Sequence, residues 1–127
     1  MKLKILILLF AMSFTTYAQE NCKKFRTGKF QNIEKGIVKS TIERNDSIQC
    51  EYFADKEIKL EITWIDECTY KLKLVWGNDA FWNRRPKDMP TPDLIVQITK
   101  TNGNEYEQES KSEGEDFIYK STLTKIE

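Results

Sequence analysis

Residues Ile58-Lys59-Leu60-Glu61-Ile62-Thr63-Trp64 alternate apolar and polar side chains without a break, and a period of two commits them to a half-buried β-strand. Ile58, Leu60, Ile62 and Trp64 share one face; Lys59, Glu61 and Thr63 share the other. After a turn at Asp66-Glu67 the pattern resumes, with Cys68, Tyr70, Leu72, Leu74 and Trp76 opposite Thr69, Lys71 and Lys73. Adjacent strands with one wet face each belong to an antiparallel sheet. Residues 25–31 read as an earlier strand around Gly28. Residues 37–44 and 48–54 read as a hairpin turned by Asn45-Asp46-Ser47. A three-residue loop there pairs Arg44 with Ile48, Ile42 with Cys50 and Ser40 with Tyr52, which gathers the apolar residues on one face. Downstream, residues 94–100 and 106–112 flank the hairpin signal Asn102-Gly103, and residues 117–125 supply the last strand. Helical periodicity is nearly absent. The predicted class is all-β: an antiparallel up-and-down meander of about eight strands. Closure into a small barrel would remove its free edges, and a β-sandwich is the alternative.

One connection is long. Residues 77–92 contain Phe81, Trp82, Arg84, Arg85 and all three prolines. A connection of that length carrying aromatic residues predicts an ordered loop or lid. Phe81, Trp82, Arg84 and Arg85 combine aromatic area with fork-shaped donors, residue types enriched in binding hot spots. The same loop could instead plug one end of a small barrel.

The first 18 residues bear on compartment. Lys2 and Lys4 precede an unbroken apolar run from Ile5 to Met12, and Thr16-Tyr17-Ala18 has the small residues that signal peptidase reads. The run is too short for a lasting membrane span. The expectation is a signal peptide over residues 1–18, cleavage before Gln19, and one domain over 19–127 in the periplasm or outside the cell. A retained N-terminal anchor is the other reading. Without Lys2 and Lys4 the 20 basic residues become 18 against 20 acidic ones, a net charge of about −2. That balance argues against nucleic-acid binding, which needs a basic surface to displace counterions.

The chain has no histidine. Ser-His-Asp and Cys-His nucleophile systems are therefore excluded, as are zinc sites that use imidazole. No D-x-D-x-D-G calcium loop occurs. Neither a metal nor a cofactor is indicated, and no catalytic constellation can be named. Three cysteines in an exported chain leave one over after a single disulfide. The expected pair is Cys22–Cys68, which ties the start of the mature chain to the sheet. Cys50, in the middle of a strand, is expected to be a buried free thiol.

Candidate binding residues follow from the strand faces. Tyr106, Gln108, Ser110 and Ser112 share one face of the seventh strand, and Tyr119 and Ser121 one face of the eighth. Pointing inward, they would oppose an apolar wall that includes Leu72, with Trp64 beside it. Such a mixture describes a ligand pocket, although buried hydroxyls can equally bond one another. Arg44 is expected near a barrel mouth. There its guanidinium could take a carboxylate head group or pair with Glu51 or Asp46.

The segments from Cys22-Lys23-Lys24-Phe25-Arg26-Thr27-Gly28-Lys29-Phe30, through Arg44-Asn45-Asp46-Ser47-Ile48-Gln49, to Ile62-Thr63-Trp64 and Cys68-Thr69-Tyr70 resemble a family of small exported bacterial β-proteins of unknown function. The resemblance implies recurring cysteines at Cys22 and Cys68, in agreement with the pairing above, and departs from the family at Cys50. Some members carry a transferred label of DNA topoisomerase IV. A domain of this size cannot house strand cleavage, an ATPase and DNA gates. More loosely, Phe25-x-x-Gly28-x-Phe30 is similar to the opening of lipocalin-like barrels, where an aromatic side chain closes the floor. Two functions are thus expected to compete. One is a lipocalin-like carrier of a small apolar or amphipathic molecule; the other is a structural or protein-interaction domain with a filled core.

Overall fold

Eight strands follow one another around a closed barrel in the computed structural model, which describes residues 21–127. They are β1 (Gly28–Glu34), β2 (Ile37–Arg44), β3 (Ile48–Phe53), β4 (Lys56–Asp66), β5 (Thr69–Gly77), β6 (Leu94–Asn102), β7 (Glu105–Ser112) and β8 (Ile118–Lys125). Each neighbouring pair is antiparallel, and β1 closes on β8 through Phe30–Lys125, Gln31–Thr124 and Asn32–Leu123. The edges of the meander are removed by closure, so the barrel and not the sandwich is the fold. The expected signal peptide over residues 1–18 lies outside the described residues.

The barrel has two unlike ends. The turns after β1, β3, β5 and β7 lie at one end, the mouth; the chain start, the remaining turns and the C-terminus lie at the other, the floor. A 3-10 helix, Lys23–Phe25, covers the floor. Phe25 is therefore not the start of a strand: its ring is 0% exposed and lies 4.8 Å from the Tyr106 ring. The Cys22–Cys68 disulfide, with 5.2 Å between the Cα atoms, fastens this cap to the turn between β4 and β5. On the opposite side Lys125 Nζ donates to the Lys24 carbonyl at 2.7 Å. Gly28 lets the chain leave the cap and enter the sheet. At its φ of +127° a Cβ would stand 2.3 Å from the Glu127 carbonyl oxygen.

Three expectations about facing are corrected. The β2–β3 loop has two residues, Asp46 and Ser47: Asn45 N–H donates to the Ile48 carbonyl, and Arg44 pairs with Gln49. The Asn45 side chain fixes the turn by accepting from the N–H groups of Ser47 (2.9 Å) and Ile48 (2.8 Å). This register turns Gln49, Glu51 and Phe53 toward the interior, and Ile48, Cys50 and Tyr52 outward. Cys50 is a free thiol, as expected, but half-buried on the outer face rather than enclosed. Trp76 is exposed as well, because an irregularity leaves Val75 unpaired on β5: Lys59 pairs with Trp76 while Leu60 pairs with Leu74. Its ring lies 5.1 Å under the Lys59 ammonium.

The long connection is ordered and holds a helix that period-two reading did not foresee, α1 (Asp79–Asn83). Asn78 caps it, accepting from the Phe81 N–H at 3.0 Å. Asn78 Nδ2 also donates to the Asp55 carbonyl at 2.9 Å, and Arg84 grips the Asp55 carboxylate through two bonds of 2.8 Å. These contacts hold α1 against the β3–β4 turn at the mouth.

Candidate functional site

Arg44 organises the floor half of the interior. It is 4% exposed, and its donors reach four groups from four parts of the chain. Nε donates to Gln49 Oε1 at 2.8 Å and Nη1 to the Phe25 carbonyl at 2.7 Å. Nη2 donates to the hydroxyls of Tyr70 (3.2 Å) and Tyr106 (3.0 Å). The Tyr70 hydroxyl donates to Gln108 Oε1 at 2.7 Å, so across the 3.1 Å between the two hydroxyls Tyr106 is the donor. Gln108 Nε2 donates onward to Ser121 Oγ at 2.9 Å. In the other direction Gln49 Nε2 donates to Glu51 Oε1 at 2.7 Å. The guanidinium also lies 4.6 Å from the Phe30 ring and 4.9 Å from the Tyr70 ring. One chain of polar contacts thus runs from Glu51 to Ser121.

This arrangement corrects the place expected of Arg44. It sits at the capped floor, not at the mouth, and it engages the amide of Gln49 and not the carboxylate of Glu51 or Asp46 directly. Tyr106, Gln108 and Ser121 do join Arg44, but in bonds to one another. Tyr70, Gln49 and the Phe25 carbonyl were missed. Sequence alternation groups Tyr70 with the apolar face, and a carbonyl oxygen has no sequence signal.

Burial pushes the Glu51 carboxyl up, against the opposing pulls of the Gln49 amide and the Arg44 charge. The native state therefore binds the Glu51 proton more tightly than the unfolded chain. The stability this contributes is full below the ordinary carboxylate range, near pH ~4.3, and is lost as pH rises through the raised native value. Glu51→Gln removes that loss and is expected to gain stability over the native protein as pH rises. Urea denaturation of both proteins between acid and neutral pH checks it, and a difference that does not grow with pH contradicts it.

The mouth half differs. A cavity of about 220 Å³ opens there between the interior faces of β4, β5 and β6 and the long connection. Ile58, Leu60, Leu72, Leu74 and Leu94 form its wall, and Phe81, Arg85, Thr91 and Pro92 cover it. Phe81 also packs edge-on against Phe53, with ring centroids 6.5 Å apart. Of the residues expected to face one cavity, Leu72 and Ser112 line this one. Trp64 lies toward the floor, its ring 4.7 Å from that of Tyr70 and 5.0 Å from the Arg26 guanidinium. Tyr119 is 48% exposed and donates its hydroxyl proton to the Glu34 carboxylate. The loop residues divide as well. Phe81 and Arg85 turn to the cavity, Arg84 binds Asp55, and Trp82 is 46% exposed.

Among the described residues no helix is long and apolar enough to cross a membrane, and no group of three or more His, Cys, Asp or Glu could hold a metal ion. The disulfide points to an oxidising, non-cytoplasmic environment. In comparisons with known proteins the chain matches no family model, no curated protein and no solved structure.

Proposed function

We propose that this chain is an exported, lipocalin-like barrel that binds a small apolar or amphipathic molecule at its mouth. The carrying observation is the 220 Å³ apolar cavity between the barrel interior and the lid formed by Phe81 to Pro92. The signal-peptide pattern at Thr16-Tyr17-Ala18, the disulfide, and the resemblance to small exported proteins support a periplasmic or secreted setting. The volume lies below the roughly 300–1,000 Å³ of pockets for drug-sized ligands, which favours a short chain or a single ring.

A neutral apolar fluorophore such as N-phenyl-1-naphthylamine is expected to bind the native protein at one equivalent. Leu74→Trp should fill the cavity and abolish that signal, at a cost of about 1–3 kcal/mol in stability. Native mass spectrometry of the exported protein should give a mass starting at Gln19 and retain a small molecule. Absence of fluorophore binding sinks the carrier reading. An interaction domain then takes precedence, a reading favoured by the filled floor half and by the exposed Trp82 on the lid.

A further inference from the structure

Arg85 sits between two cavities. It covers the apolar mouth cavity, and with Phe81 it also lines a second one of about 180 Å³ on the other side of the lid, beside Lys56 and Arg84. Among the described residues no acidic one lines either cavity. The one carboxylate these cations engage among the described residues is that of Asp55, and Arg84 holds both its oxygens. Among the described residues Arg85 and Lys56 form no ion pair: the Arg85 guanidinium faces the Phe81 ring at 5.5 Å, and the Lys56 ammonium faces the Phe53 ring at 5.2 Å. Arg85 Nη2 donates to the Pro90 carbonyl at 2.9 Å, while its Nε is buried without a hydrogen-bond partner. A buried guanidinium N–H with no acceptor is costly unless something supplies one.

We propose that the molecule taken at the mouth is an amphipathic acid. Its apolar chain lies against Leu60, Leu72 and Leu74, and its carboxylate pairs with the guanidinium of Arg85, the residue that lines both cavities. The inference rests on the carrier reading and narrows it to a chemical class. The chemistry divides along the lid: an apolar wall below Phe81, unpaired positive charge above it. An anionic head group gains a charge-assisted hydrogen bond there, and a neutral one does not. At about 220 Å³ the cavity takes a short chain, and an eight-carbon one serves as the probe.

Octanoate and 1-octanol have the same chain and differ in the head group, so their affinities separate the two parts of the proposal. Calorimetry on the native protein should show octanoate binding tighter by roughly tenfold, the gain from a hydrogen bond to a charged partner. Arg85→Met keeps an unbranched apolar stem beside Phe81. It should erase that preference by weakening octanoate more than octanol, and Lys56→Met should reduce the preference less. Equal binding of acid and alcohol by the native protein, or an unchanged ratio in Arg85→Met, overturns the acidic head group and leaves the carrier reading standing. If neither compound binds, both fall. The native ratio needs no variant, so a folding defect in Arg85→Met does not shield the proposal.

Discussion

Arg44→Met is expected to cost about 3–5 kcal/mol of folding stability, among the larger losses for a single substitution that deletes no covalent link. Methionine can fill much of the volume, so the loss isolates the hydrogen bonds from a cavity effect. Removing the guanidinium strands Gln49 Oε1 and the Phe25 carbonyl inside the barrel and takes one of the bonds made by each of the Tyr70 and Tyr106 hydroxyls, which keep their bonds to one another and to Gln108. It also takes a cation from between the Phe30 and Tyr70 rings. Arg44→Lys is expected to fail nearly as badly. An ammonium keeps the charge, but its three donors on one atom cannot span acceptors arranged around a planar fork. Tyr106→Phe, which removes one hydroxyl and keeps the ring, should cost about 1–2 kcal/mol. In the Arg44→Met background the same change should cost less, because its principal partner is already gone. Urea denaturation of the single and double variants checks this. Additive losses would show that the Arg44–Tyr106 bond couples the two residues no further than packing does.

The sign of the Arg44 prediction could not have been read from the chain. Sequence alternation marks which side chains share a face, and that was enough for eight strands and their order, because short turns leave neighbouring strands little choice but to pair. It does not mark which end of the barrel is capped. Phe25 looked like a strand residue because an aromatic beside a glycine fits a strand, whereas the Cys22–Cys68 link turns residues 22–26 across the floor. Once that cap is in place, Arg44 is enclosed, and the residue opposite must be an acceptor. Gln49 meets the need and Ile48 does not. The register that gathered the apolar residues of β3 was therefore wrong by one position for a local reason: apolar grouping is the better guide only where the interior is apolar. The mouth cavity was half legible. Leu72, Phe81 and Arg85 were all singled out, but nothing in their spacing says that a loop after β5 folds back over β4 through a capped turn at Asn78 and an Arg84–Asp55 pair.

Loss of the disulfide is expected to cost a similar amount by a different route. Cys22 and Cys68 are separated by 46 residues, and closing a loop of that size restrains the unfolded chain by about 4 kcal/mol on chain-entropy grounds. Cys68→Ala should therefore lose about 2–5 kcal/mol. In the native state the loss has a definite location. The link positions the cap whose Phe25 carbonyl takes an Arg44 proton and whose ring packs on Tyr106, so a loosened cap weakens the same polar chain that Arg44 organises. Cys22→Ala and the double replacement should match Cys68→Ala, since one covalent bond can be lost only once. Cys50→Ala is the control. It is half-buried on the outer face of β3 and should change stability by no more than about 0.5 kcal/mol, as surface substitutions do. Non-reducing peptide mapping decides the connectivity, and a cross-link containing Cys50 would contradict it. If Arg44→Met and Cys68→Ala are combined, the cost should fall short of the two single costs added, because part of each is the Phe25–Arg44 bond that the other variant has already weakened. Full additivity would mean that the cap and the interior are held independently.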